Sequence, residues 1–289
     1  MSTPLIINFD TANIDKWLAK VSEVSNSEII SDTNIVLDFI GIKSKSDINP
    51  IHIVSLACLI EHLHKLGCRI ALHDVENAVS NHIWYNLKFK EYWAGGKNYV
   101  PAHEALISNL WRIIDAEKEI HSNRIYNYLK QEFFQSKDLS AVRNSLDEAY
   151  YNIFDHAKAN GNAFSFVEFN EETEKLFVAV CDFGVGIATL VKQMLPNISS
   201  DKEAIAKALE YRFTTGSQKH NMGMGLGNIK DTCTNNDMLI IISKKGKLIA
   251  NRDNMSLFDN EFSFPGSLIY YELSLSHFED EEIIDNFVL

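Results

Sequence analysis

Polar side chains recur every four residues in the segment from Glu148 to His156. Glu148, Asn152 and His156 would share one face of a helix, because residues four apart lie one turn above each other. An asparagine oxygen can complete the coordination shell of Mg²⁺, which prefers oxygen ligands. A glutamate one turn earlier can orient or deprotonate an attacking water. Taken alone, the segment also fits an exposed polar stripe on an amphipathic helix, and a histidine near a helix end is often a core or capping residue.

Asp182 follows an apolar run and precedes two glycines, Gly184 and Gly186. A carboxylate at a strand end can accept a hydrogen bond from an exocyclic amine such as N6 of adenine. The two glycines would let the backbone approach a flat ring. Asp and Gly are also ordinary turn residues, so a simple turn after a strand is the alternative.

Three glycines at alternating positions, Gly223, Gly225 and Gly227, precede a helical pattern. They would expose backbone N–H groups at a helix N-terminus, where anions bind. The spacing differs from the dinucleotide G-x-G-x-x-G and lacks the Lys-Ser/Thr of a P-loop. The polar segment 214–221 suits a mobile lid over phosphates, and a flexible surface loop is the alternative.

The overall composition restricts the class of protein. The net charge of the 289-residue chain is -12, which argues against a large nucleic-acid surface, since phosphate binding needs clustered Lys and Arg. The four cysteines form no CxxC pair, which argues against zinc sites and a disulfide scaffold. No apolar run reaches membrane-spanning length, and the start lacks a signal-peptide pattern. We therefore expect a cytoplasmic protein without membrane association and without nucleic acid as its partner.

The elements that must position these residues follow from hydrophobic spacing. In the first hundred residues, 35–39 and 69–73 predict strands, and 51–66 predicts a helix that has Pro50 in its first turn and ends at Gly67. A strand–helix–strand unit of this kind predicts parallel pairing.

The second half alternates helical and strand patterns. Helical spacing predicts helices over 105–134, 139–159, 201–211 and 223–232. Apolar runs predict strands over 163–169, 175–181, 239–243, 247–250 and 267–275. The polar turn 170–174 predicts one hairpin, and 244–246 predicts a second. A boundary near Pro101 would separate domain 1–101 from domain 102–278, with a leading helix in 102–138 and an acidic tail over 279–289.

In their order along the chain, the three polar and glycine-rich segments resemble the N, G1 and G2 boxes of the GHKL ATP-binding superfamily. This superfamily includes gyrase B, mismatch-repair ATPases, sensor histidine kinases and anti-sigma-factor kinases. The resemblance covers 139–275, and Phe264 to Ser267 is similar to the family's closing Gly-Thr strand. It implies a Bergerat-fold α/β sandwich that binds ATP and Mg²⁺.

The resemblance also implies roles for single residues. Glu148 would be the general base, Asn152 would bind the metal, and Asp182 would hold adenine N6. The glycines that would shape the pocket and the phosphate loop are Gly184, Gly186, Gly223, Gly225 and Gly227. Lys219 or His220 could reach the phosphates from the lid.

The first hundred residues resemble a STAS-like domain, the small αβ fold of anti-anti-sigma factors. The resemblance depends on 35–39, the helix from Ile51 and the segment 67–72. Such proteins often carry a phosphorylatable serine after an aspartate at the helix start, whereas Asp47 is followed here by Ile48. We expect a regulatory or docking domain and not a phosphorylated switch.

The expected fold is thus α/β (α+β), with a STAS-like domain followed by a Bergerat sandwich. The expected function is a Mg-dependent ATP-binding signalling protein of the GHKL type, with weak ATPase or Ser/Thr kinase activity toward a regulatory protein partner. A histidine kinase is less well supported, because His121-Ser lacks the usual His-Asp/Glu start. The alternatives are a non-catalytic ATP-dependent conformational or dimerisation switch, which a homodimer would suit, and a pocket that has lost ATP.

Overall fold

The computed structural model describes residues 3–93, 107–156, 163–210 and 226–280, and these form a mixed α/β structure with two sheets. The N-terminal sheet is parallel, with strand order β1-β2-β3. Its elements and the helices after it are β1 (Leu5–Asn8), α1 (Ile14–Ser25), β2 (Asn34–Asp38), α2 (Pro50–Lys65), β3 (Arg69–His73), α3 (Ala78–Asn81) and α4 (Phe89–Trp93).

The predicted crossover unit is confirmed. β2 and β3 pair in parallel, with Ile35 opposite Ile70. Asn49 caps α2, because its side-chain oxygen accepts hydrogen bonds from the first N–H groups, and Pro50 opens the helix as predicted. Gly67 follows the helix with φ of +80°, and a Cβ there would lie 2.9 Å from Asp32 Oδ1, so a glycine is required.

The second sheet is antiparallel, with order β4-β5-β6-β8-β7. The elements of this half are β4 (Asn109–Ile113), α5 (Lys118–Glu132), α6 (Ser140–Tyr151), β5 (Ala163–Asn170), β6 (Lys175–Asp182), α7 (Ile187–Met194), α8 (Asp201–Ala208), α9 (Gly227–Thr232), β7 (Met238–Ala250) and β8 (Met255–Ser274). The hairpin of β5 and β6 is confirmed, with Ala163 opposite Asp182.

The antiparallel sheet is buried on both faces. Along β6, Val178 and Val180 pack into a core with helices α5 to α9, whereas Ala179 and Cys181 pack into a core with α1 and α2. α2 is consequently buried on most of its circumference, between the two sheets. The described residues therefore form four layers: parallel sheet, α1 and α2, antiparallel sheet, and α5 to α9. None of the helices in the described ranges is long and apolar enough to span a bilayer.

The predicted helix over 105–134 is wrong in its first part. Residues 109–113 form β4, which pairs antiparallel with β5, and α5 begins only at Lys118. Leu110 packs toward α2, while Trp111 and Ile113 lie in the other core, so both faces of the segment are apolar. Apolar residues on both faces of a strand can imitate helical spacing, and pairing with β5 decides between the two.

The predicted second hairpin around 244–246 is also wrong. β7 continues to Ala250, and the pairing with β8 only shifts register between Ser243 and Gly246. The first turn of α8 packs there, since a Cβ on Gly246 would lie 2.7 Å from the Asp201 carbonyl carbon. The chain reverses at 251–254, where Asn251 N–H donates to Asn254 O at 3.0 Å. Glycine therefore marks a bulge here and not a turn.

Candidate functional site

Glu148 and Asn152 lie at the end of α6, where the helix widens. α6 is regular to Tyr151, and residues Asn152–His156 form a π-helical turn, a feature that often occurs at functional sites. Both side chains are buried, and Asn152 Nδ2 donates to Glu148 O at 2.7 Å. This bond uses the amide nitrogen, so the amide oxygen is the atom that could ligate a metal.

The Glu148 carboxyl has an unusual proton affinity. Burial raises its pKa to about 7, and the neighbouring Asp147 charge adds to the effect. A carboxyl with this pKa can take up and release a proton near neutral pH, as a general base must. The predicted base is therefore in the right protonation range for that role.

Asp182 is fully buried at the end of β6. One carboxylate oxygen accepts from Gly184 N–H at 2.6 Å, and the other accepts from Ser267 N–H at 3.1 Å, which joins the strand end to β8. Burial nevertheless raises the pKa of Asp182 to about 7. Within the described ranges, no cation lies within 4 Å of its carboxylate.

Asp237 is a useful comparison, because it is a buried carboxylate at the opposite end of the same strands. Its oxygens accept from the N–H and the hydroxyl of both Thr234 and Ser274, and Lys175 lies 3.9 Å away. Burial acts to raise the pKa of Asp237, but these hydrogen bonds lower it overall. Among the described residues Asp182 has half as many donors, so each of its oxygens keeps a lone pair that can accept a further hydrogen bond.

Gly186 forms a tight junction between the β6 end and α7. Its φ is +88°, and a Cβ there would lie 2.8 Å from Ser243 Oγ and 2.9 Å from Gly266 O. Ser267 Oγ accepts from Ile187 N–H at 2.9 Å, so a side chain of β8 satisfies the start of α7. Gly186 is therefore required by close contacts within the protein, and its predicted approach to a flat ring stays a prediction.

Two residues of this junction were not found from the sequence. Ser243 Oγ accepts from Ala188 N–H at 3.2 Å and donates to Gly266 O at 3.1 Å. The Lys244 ammonium donates to Pro265 O at 3.3 Å, and burial lowers its pKa. Both residues lie at the bulge, where a hairpin turn was predicted. Because this element was predicted wrongly, neither residue was assigned to the site.

The described parts of the three predicted segments lie on neighbouring elements. The π-helical turn after α6 contacts both α7 and β6, and α9 packs against α6. Ser145 Oγ on α6 donates to Thr232 Oγ1 on α9 at 3.4 Å. Gly227 opens α9 against the end of α8, since a Cβ there would lie 2.6 Å from Leu209 O. Glu148, Asn152, Asp182, Gly184, Gly186 and Gly227 thus belong to contacting elements.

The remaining predicted residues, Lys219, His220, Gly223 and Gly225, lie outside the described residues. The described ranges contain no group of three or more His, Cys, Asp or Glu that could hold a metal. A Mg²⁺ ion at Asn152 would therefore take its other ligands from phosphate oxygens and water, which is how Mg²⁺ commonly binds beside nucleotides.

No protein-family model matches the chain, and no curated protein or solved structure matches it either.

Proposed function

We propose that the chain binds ATP with Mg²⁺ at the junction of α6, β6, α7 and α9. Asp182 would accept a hydrogen bond from adenine N6, and Asn152 would ligate the metal. Gly184 and Gly186 would border the adenine, and the N-terminus of α9 at Gly227 would face the phosphates. This is the GHKL arrangement that the sequence resembles, and it makes the chain an ATP-binding signalling protein.

The observation that carries the proposal is the burial of Asp182 with few hydrogen-bond donors. Asp182 is fully buried with two donors among the described residues, which is unfavourable, whereas the buried Asp237 has four. An amine that donates to Asp182 would supply one further hydrogen bond to this carboxylate. Buried carboxyls with raised pKa values concentrate at functional sites, which supports the same conclusion.

Glu148 supports a catalytic version of this function. A carboxyl with pKa near 7 could deprotonate a water for ATP hydrolysis or a hydroxyl of a Ser/Thr partner for phosphotransfer. Bound Mg²⁺ would neutralise charge on the phosphates. The two reactions differ only in the nucleophile, and both use the same residues of this chain.

A non-catalytic switch is the second candidate, and one contact favours it. Cys58 Sγ of α2 donates to Cys181 O at 3.3 Å, one residue before Asp182. A shift of Asp182 on binding adenine would therefore reach α2 and the N-terminal layer directly. ATP could act through this contact without being cleaved.

Calorimetric titration of Mg-ATP into the full chain tests the proposal. We expect Asp182→Asn to weaken binding about tenfold or more, since a hydrogen bond to a charged group is lost. The matched control is Asp237→Asn, which removes a buried carboxylate at the opposite end of β6 and β8 and should bind ATP like the wild type. Equal losses in both variants, or no binding to folded wild type, would show that Asp182 is only structural.

Glu148→Gln separates the catalytic function from the switch. A variant that binds Mg-ATP normally but no longer releases or transfers phosphate supports catalysis. If the wild type also shows no turnover, the binding switch is the better description. Circular dichroism of each variant verifies that it is folded.

A further inference from the structure

A cavity of about 530 Å³ lies where the first turn of α2 meets the antiparallel sheet. One wall belongs to the N-terminal layer and includes Lys45 and His82, and the other is the sheet surface around Phe177. Phe177 is near the start of β6, on the α2 side, whereas Asp182 ends that strand. The cavity is thus separate from the proposed nucleotide site.

The size and floor of the cavity suit a small organic molecule. Ligand pockets typically measure about 300–1,000 Å³ and are mostly apolar with a few placed polar groups. Ile53 of α2, Leu87 and Phe166 are buried beneath the cavity, and Phe177 and Tyr270 extend the apolar surface along the sheet. A ligand here would contact both layers at once.

The sheet wall carries an unpaired acid, Glu168. It lies opposite Phe177 in the β5–β6 register, and it makes no hydrogen bond or ion pair within the described ranges. Although the side chain reaches solvent at the cavity mouth, burial of its carboxyl raises the pKa of Glu168. A carboxylate beside aromatic rings is a favourable place for an organic ammonium group.

The N-terminal wall carries the opposite charge. Lys45 has no ion-pair partner among the described residues, and His82 Nδ1 is buried without a hydrogen-bond partner there. Burial lowers the pKa of His82, and the nearby Lys45 charge lowers it further. His82 is therefore neutral at physiological pH, and Lys45 supplies the positive charge.

Glu168 and Lys45 both line the cavity, and they form no ion pair with each other. We propose that the cavity binds a zwitterionic, amino-acid-like ligand such as a short peptide. Its ammonium group would lie on Glu168, its carboxylate near Lys45 and His82, and its apolar side chain on Phe166 and Phe177.

A panel of small probes tests this assignment in the full chain by calorimetry. The probes are free leucine, free phenylalanine, leucyl-leucine and phenylalanyl-leucine, each as the zwitterion, the N-acetyl form and the C-terminal amide. We expect saturable binding of at least one zwitterion. N-acetylation and Glu168→Gln should each weaken it about tenfold or more, because both remove the same charged hydrogen bond.

The effects should also be specific to each end of the ligand. Glu168→Gln should not weaken the N-acetyl form further, and Lys45→Gln should weaken the zwitterion but not the amide. The matched controls are Glu171→Gln and Lys43→Gln, which remove exposed charges outside the cavity and should leave binding unchanged.

Two results would overturn the proposal. One is the absence of saturable binding by any probe to folded wild type at millimolar concentration. The other is a zwitterion whose affinity does not respond to Glu168→Gln or to N-acetylation. Neither result depends on ATP, so the nucleotide proposal is tested separately.

Discussion

Replacing Asp182 by asparagine should change how the stability of the chain depends on pH. In the folded protein burial raises the pKa of Asp182 to about 7, whereas an unfolded aspartate titrates near 3.9. A raised folded pKa means that the contribution to stability is fully present below the unfolded pKa. It is lost as pH rises through the folded pKa, because the ionised form is buried.

The size of this loss follows from the two pKa values. The folded and unfolded pKa values differ by about 3. Each pKa unit corresponds to about 1.36 kcal/mol, so the full loss of stability is about 4 kcal/mol. About 2 kcal/mol of this falls between pH 5 and pH 7. Asparagine is neutral throughout, so Asp182→Asn should gain that amount of stability relative to the wild type over this interval.

Urea unfolding of both proteins between pH 5 and pH 8 measures the difference. Asp237→Asn is the control, because hydrogen bonds lower the pKa of Asp237 and its contribution is lost only at pH values below this range. Its difference from the wild type should stay constant. Parallel curves for Asp182→Asn and the wild type would refute the argument that desolvation outweighs the two N–H bonds at Asp182.

Three further predictions concern other parts of the chain. If the proposed ATPase or kinase activity is present, turnover in a phosphate-release or phosphotransfer assay should rise with pH through about 7, where Glu148 ionises, and Glu148→Gln should reduce it by about 10²-fold or more. Gly266→Ala should destabilise the fold by about 3 kcal/mol or more in urea unfolding, since the new Cβ would lie 2.1 Å from Asp182 O. Glu61→Ala should cost about 3–5 kcal/mol by the same measurement, because it leaves the Arg112 guanidinium, now 2.6 Å from Glu61 Oε2, without its acid.

Short-range signals in the sequence predicted the local elements that are governed by local chemistry. Pro50 and Gly67 bound α2 as expected, and the polar turn after β5 forms the predicted hairpin. The same reasoning placed Glu148 and Asn152 on one helix and Asp182 at a strand end. These positions depend on caps, turns and periodicity, which neighbouring residues determine.

The wrong predictions concern elements whose structure depends on contacts with residues far away in the sequence. β4 is a strand because β5 pairs with it, and β7 continues past Gly246 because β8 pairs with it and α8 fills the bulge. Ser243 lies at the same bulge, so its contact with the start of α7 could not be predicted either. The burial of Asp182 and its shortage of donors were also invisible in the sequence, since they depend on β8 and not on the residues beside it.

The position of α2 between two sheets affects how the chain is made. During synthesis the parallel sheet and α1 emerge from the ribosome before β6 and β8, so one side of α2 stays uncovered until those strands are complete. Leu59 and Ile60 belong to the core that α2 shares with the antiparallel sheet. An uncovered apolar surface attracts chaperones or other nascent chains. Slow translation across residues 110–270 would prolong this exposure, and the yield of folded protein would depend on how quickly the second half follows the first.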